Sequence, residues 1–287
     1  MASGALPKSA GPAPPPPRTH GAVVQGARAA LRRFREDRAA GRAPKRSPSE
    51  PWRLLLDAPL PVAADVAAGG LPLEGSPFGV ADEGDWPGGQ AQRFRAWRKF
   101  VEPLLDGYPS SFLGMLESPS DGLGVWQLPD MVVAGLVVNA TFPAFARLCA
   151  GDFGAQPTRP DQAVVVAADW TRADDIGQPW DRTTSRAARE LIDDAEWRHL
   201  YSAKMLRTAK GRAFGCVVGG WGLPWRVYAA EGADSSTLLD EVVLECQGPQ
   251  QPAREEIAAA LNAAAERRRA EGGGGGEGRG GGFKLWW

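Results

Sequence analysis

Two valine-rich, near-continuous apolar runs constrain the fold of this chain most: MVVAGLVVNAT at Met131–Thr141 and QAVVVAADW at Gln162–Trp170. Both are strand-length and rich in β-branched residues, so both read as strands. Neither alternates polar with apolar positions, which is the pattern of a strand covered on both faces, as in parallel sheets. Helical signals follow each run, Phe145–Ala150 after the first and Ser185–Leu200 after the second. Strands separated by helices in this order predict an α/β layer with parallel strands and flanking helices.

The texture changes after Leu200. Tyr201–Thr208, Arg212–Gly219, Trp225–Ala230 and Leu238–Cys246 are strand-like and joined by short turns, which predicts an antiparallel meander. A helix over Ala253–Arg269 closes it, with Ile257, Leu261 and Ala264 inward and Arg254 and Arg267–Arg269 outward. Earlier in the chain, Trp52–Ala58 reads as a strand stopped by Pro59 and Pro61, and Gln90–Leu105 as a helix burying Phe94, Trp97, Val101 and Leu104. The fold class is therefore α/β, a mixed sheet with parallel strands in its first part and a meander plus C-terminal helix in its second.

The organisation predicted is a Pro-rich leader over 1–17, one α/β domain over 18–270 and a glycine-rich tail over 271–287. Val23, Val24, Ala27, Ala30, Leu31 and Phe34 lie at helical spacing after Thr19, with Arg28, Arg32 and Arg35 beside them and Gly41 as a stop. A basic amphipathic N-terminus also fits a transit peptide. Glu36 and Asp37 favour a helix docked on the domain, with only the leader left as a targeting remnant.

Net charge is −1, so no global field favours nucleic acid, and no apolar run reaches the about 20 residues of a membrane span. Cys149, Cys216 and Cys246 are odd in number and far apart, unlike a disulfide framework or a zinc site. They read as reduced thiols. Of the two histidines, His20 stands beside the leader and His199 reads as the end of a helix; no GxSxG elbow accompanies either.

Three places could carry chemistry or binding. Gly88 and Gly89 precede a helix whose free N–H groups could hold an anion with Arg93 or Arg95, although no GK[ST] follows; the alternative is a tight turn. Asp169, Trp170, Asp174 and Asp175 fall at and beyond a strand end, where open α/β sheets gather ligands; the alternative is capping of the next turn. Trp221 and Trp225 flank a Gly-Leu-Pro turn, and Trp286 and Trp287 end the tail; each pair is either a partner-binding patch or neutral, the first as core.

Four stretches occur in the order found in a plastid and cyanobacterial family. They are the Pro-rich leader with VVQGARAAL, DWPGGQAQRFR at Asp85–Arg95, VVVAADW with DDIGQP at Asp174–Pro179, and KGRAFGCVVGGWGLPWRVYAAE at Lys210–Glu231. Over most of residues 16–270 the chain resembles the family named domain of unknown function nineteen ninety-five. That family resembles the domain found in low photosystem II accumulation factor three and in the C-terminal part of a chloroplast adenylate-kinase-like protein. It departs from some members at Ala168-Asp169-Trp170, where they carry an Asn-Pro-Gln-Trp-like end.

The resemblance implies a chloroplast location, in the stroma or on the stromal face of the thylakoid, and a part in photosystem assembly. It implies no catalytic residue. The expectation is a non-catalytic assembly or interaction factor with a photosystem or thylakoid subunit as partner, no cofactor, and peripheral membrane contact left open. The alternative is a nucleotide- or phosphate-binding enzyme or regulatory domain related to chloroplast adenylate kinase.

Overall fold

The computed structural model describes residues 15–44, 50–58, 89–118, 122–154, 162–168, 170, 172–177, 180–208, 213–231 and 238–271. The leader up to residue 14, the tail beyond Glu271, Gly88 and Asp169 lie outside the described residues.

The elements in chain order are α1 (His20–Ala39), β1 (Trp52–Asp57), α2 (Gly89–Leu105), β2 (Ser111–Leu116), β3 (Leu123–Leu128), β4 (Met131–Val137) and α3 (Phe142–Ala150). Then come β5 (Ala163–Ala168), α4 (Arg182–Ala188), β6 (Trp197–Arg207), β7 (Phe214–Gly220), β8 (Leu223–Ala230), β9 (Leu238–Cys246) and α5 (Arg254–Glu271). The strands form one nine-stranded sheet in the order β2-β3-β4-β5-β1-β6-β7-β8-β9. The pairs β4–β5, β5–β1 and β1–β6 are parallel, and all others are antiparallel. The valine runs are its centre: every residue of β4 is buried, and β5 is buried up to Ala167.

Alternation within the strands feeds two faces. Met131, Val133, Ala163 and Val165 face α1 and α2, whereas Val132, Ala134, Val164 and Val166 face α3 and α4. On that second face α5 covers Val217, Trp225, Val227 and Ala229 with Ile257 and Leu261. α1 buries the stripe its sequence announces, starts on a Thr19 cap that accepts from the Ala22 N–H, and stops before Gly41 at φ 66°.

α2 lies against two glycines that face each other across β3 and β4, Gly124 opposite Gly135. A Cβ on Gly124 would sit 1.9 Å from the Phe94 ring, and one on Gly135 would sit 2.1 Å from Trp97 Nε1. The missing side chains form the hollow that seats both rings, so helix and sheet approach more closely than any other residue pair permits.

The structure differs from the sequence pattern in three places. β2 and β3 form a hairpin to which the pattern assigned no element. β4 stops at Val137, because the backbone bulges at Leu136 (φ 54°) and the Thr141 hydroxyl donates to the Leu136 carbonyl at 2.9 Å. The helix expected over Ser185–Leu200 ends early: α4 gives way to a single wide turn at Arg189–Asp193, and β6 begins at Trp197. Pairing with β1, Arg53 opposite Trp197 and Leu55 opposite His199, outweighs the helical pattern there. His199 is thus a strand residue.

Candidate functional site

The start of α2 holds the candidate anion site. Gly89 is exposed and has φ 60°, the conformation glycine supplies at a turn into a helix. Arg95 is exposed and Arg93 half-buried. Residues two apart on a helix point to different sides, so the two arginines lie on different faces of α2.

At the strand-end corner the described polar side chains bond to neighbouring loop groups. Asp174 and Asp175 belong to a short turn, Ala173–Asp175, in which Arg172 donates from its side chain to Asp174 at 2.8 Å and from its backbone to Asp175 at 2.9 Å. Asp193 accepts the Ala173 N–H at 3.0 Å, and Asn139 ties the β4 loop to the β5 loop by accepting from Gly177 at 2.9 Å. Trp170 is half-buried and packs edge-on against Phe142 and beside Phe145 and Trp197. The aspartates act here as the caps and ties of a loop. Asp181 does the same for α4: hydrogen bonds from Thr184 hold its carboxyl below the usual range.

Trp221 and Trp225 do not form a surface patch. Trp221 is 8 % exposed, lies edge-on to Phe34 and Trp52, and donates from Nε1 to Asp37 at 3.0 Å. Trp225 is fully buried over Gly219. The Gly-Leu-Pro turn points both rings back onto the sheet, where α1 and α5 cover them. Trp286 and Trp287 lie outside the described residues.

Two features escaped the sequence reading. The first is a polar cluster on the central strands: His199 Nδ1 lies 3.2 Å from Asp57 Oδ2, each side chain 19 % exposed, and the imidazole meets the Trp225 ring edge-on at 5.1 Å. Ser202 stands opposite Asp57 in the β1–β6 register but is completely buried, so its hydroxyl is not presented to a substrate. The arrangement orients an imidazole without presenting a nucleophile beside it. Alternating aromatics at Trp197, His199 and Tyr201 were the available signal for a strand. The thiols are muted as well. Burial pushes Cys149 up to about 12, opposed by the Arg53 guanidinium, and burial raises Cys216 further. Among the described residues no group of three or more His, Cys, Asp or Glu side chains comes together to hold a metal ion.

The second feature is the edge of the sheet. Phe112 and Leu113 of β2 are 38 % and 39 % exposed, and Trp180, in the loop before α4, is 78 % exposed. Phe112 stacks on Phe94 and leans on Trp126, and the Arg98 guanidinium lies 5.3 Å from its ring centre. A backbone bulge at Leu113 breaks the register with β3.

Compared with protein-family models, curated proteins and solved structures, the chain finds no match. Among the described residues no helix is long and apolar enough to cross a membrane.

Proposed function

We propose that this chain is a non-catalytic interaction factor of the chloroplast, acting at the stromal face of the thylakoid in photosystem biogenesis. The observation that carries the binding part is the β2 edge, which places Phe112 and Leu113 in solvent beside Arg98. An edge strand offers unpaired N–H and C=O groups to an extended partner segment, and exposed apolar side chains beside it add affinity. The plastid part rests on the four sequence stretches that resemble the plastid family.

The test is affinity purification of the full chain from chloroplast membranes, with Leu113→Lys for comparison. Leu113 is 39 % exposed, so a lysine there leaves the fold intact while blocking the edge. A photosystem or thylakoid subunit is expected to co-purify with the unaltered chain and to be lost with the variant. Retention of the same subunit by the variant, or a chain found outside plastids, defeats the proposal.

A further inference from the structure

We infer that the cleft between α1 and the end of α2 binds a planar ring compound carrying a single anionic group, of the chemical class of a nucleoside monophosphate. The cleft has a volume of about 550 Å³ and is lined by Gln25, Arg28, Ala29 and Arg32 on one side and by Asp106, Gly107 and Tyr108 on the other. That volume lies in the range of small-molecule sites, about 300–1,000 Å³.

The sequence builds one wall directly. Positions 25, 28, 29 and 32 recur at helical spacing, so they share one stripe of α1 on the side away from its buried face. Ala29 leaves the room, and two guanidiniums stand a turn apart beside it. Arg28 is held in place: it donates to the Asp106 carbonyl at 3.1 Å, with the Asp106 carboxylate 3.8 Å away. A guanidinium has five donors, so that contact fixes its plane and leaves others for a ligand. The Arg32 side chain is 70 % exposed, and the carboxylate of Glu36 is 4.0 Å from it. Two arginines so placed can grip one phosphate or carboxylate group from two directions.

The opposite wall supplies an aromatic surface. Tyr108 is half-buried, and the Arg35 guanidinium sits 4.7 Å from its ring centre while pairing with Asp130 at 3.1 Å. This bracing fixes the Tyr108 ring in the lining of the cleft, where a planar group can pack on it. Asp106, 78 % exposed, is placed to accept from ligand hydroxyls. Arg28 and Arg32 are the two cations of the lining, Arg28 beside Asp106 and Arg32 within 4.0 Å of Glu36. A monoester presents one phosphate to the two guanidiniums, and a triphosphate brings two more for which the lining holds no further cation.

The inference is independent of the β2 edge, and its test uses different readouts. Calorimetric titration of the full chain compares adenosine monophosphate with adenosine, inorganic phosphate and adenosine triphosphate. Saturable binding of the monophosphate is expected, with each of the other three weaker by about tenfold or more. Arg32→Gln, at an exposed side chain 4.0 Å from the Glu36 carboxylate, is expected to fold normally and to weaken monophosphate binding about tenfold; Tyr108→Leu is the second variant and should weaken the monophosphate but not inorganic phosphate. No saturable binding at millimolar monophosphate, equal binding of phosphate alone, tighter binding of the triphosphate, or affinities that neither variant changes would each overturn the assignment.

Discussion

Adding one methyl group at Gly135 tests how α2 is seated on the sheet. The new carbon would fall 2.1 Å from Trp97 Nε1 and 2.2 Å from Cδ1, where non-bonded carbons rest at about 3.5–4.0 Å. The indole would have to retreat by more than about 1 Å. It has little room to do so: Trp97 is 1 % exposed and stacked on Phe100 at 5.1 Å. Overpacking of this kind costs about 1–3 kcal/mol, and replacing a strand glycine by alanine returns about 0.5–1 kcal/mol. Gly135→Ala should therefore destabilise by up to about 2.5 kcal/mol. Trp97→Leu alone should cost about 2–3 kcal/mol, less than a Trp→Ala truncation because part of the volume stays. In the double variant the methyl group occupies space that the indole vacated, so the combined loss should fall short of the sum by about 1 kcal/mol or more. Guanidinium denaturation followed by far-ultraviolet circular dichroism measures all four corners of the cycle, with an unchanged m-value as the control for two-state behaviour. If the two losses add to within about 0.5 kcal/mol, the ring does not occupy the glycine hollow and the account of this interface is wrong.

Trp221→Phe should cost about 1–2 kcal/mol, because it removes the donor that ties β7–β8 to Asp37 of α1, and Asp37→Asn should cost less; a calorimetric Tm unchanged in Trp221→Phe would dismiss the tie. The thiols should alkylate in the native state in the order Cys246, then Cys149, with Cys216 protected until unfolding, as read by mass spectrometry after iodoacetamide at mild alkaline pH. Folding raises all three thiol pKa values, so their contribution to stability is complete below the unfolded value of 9.0. For Cys149 it declines as pH climbs from there toward about 12. Stability that rose over that alkaline window would contradict the burial of these groups.

The elements legible in the sequence were those whose signal is local. The stripe of α1, the apolar faces of α2 and α5, and the span of β9 follow from spacing alone, and the valine content of β4 and β5 announces strands covered on both sides. The candidate sites were legible only as residue types. Trp221 and Trp225 look alike in the sequence whether they face solvent or core, and the fold decides it by laying α1 over one and α5 over the other. Asp174 and Asp175 look like ligands until Arg172 is seen to close the turn on them.

Periodicity and side-chain chemistry, properties of neighbours along the chain, determined the α/β class, the parallel core and the later meander. What they could not determine is which strands become neighbours in space. β1 paired with both β5 and β6 draws Trp197 and His199 into a strand and brings Asp57 to His199, and among the described residues β2 stands at one end of the sheet. Gly124 and Gly135 are eleven positions apart and carry no local signal, yet the β3–β4 register sets them opposite each other to receive Phe94 and Trp97. Register and face assignment arise from packing summed over the whole sheet, so tertiary structure alone decided them.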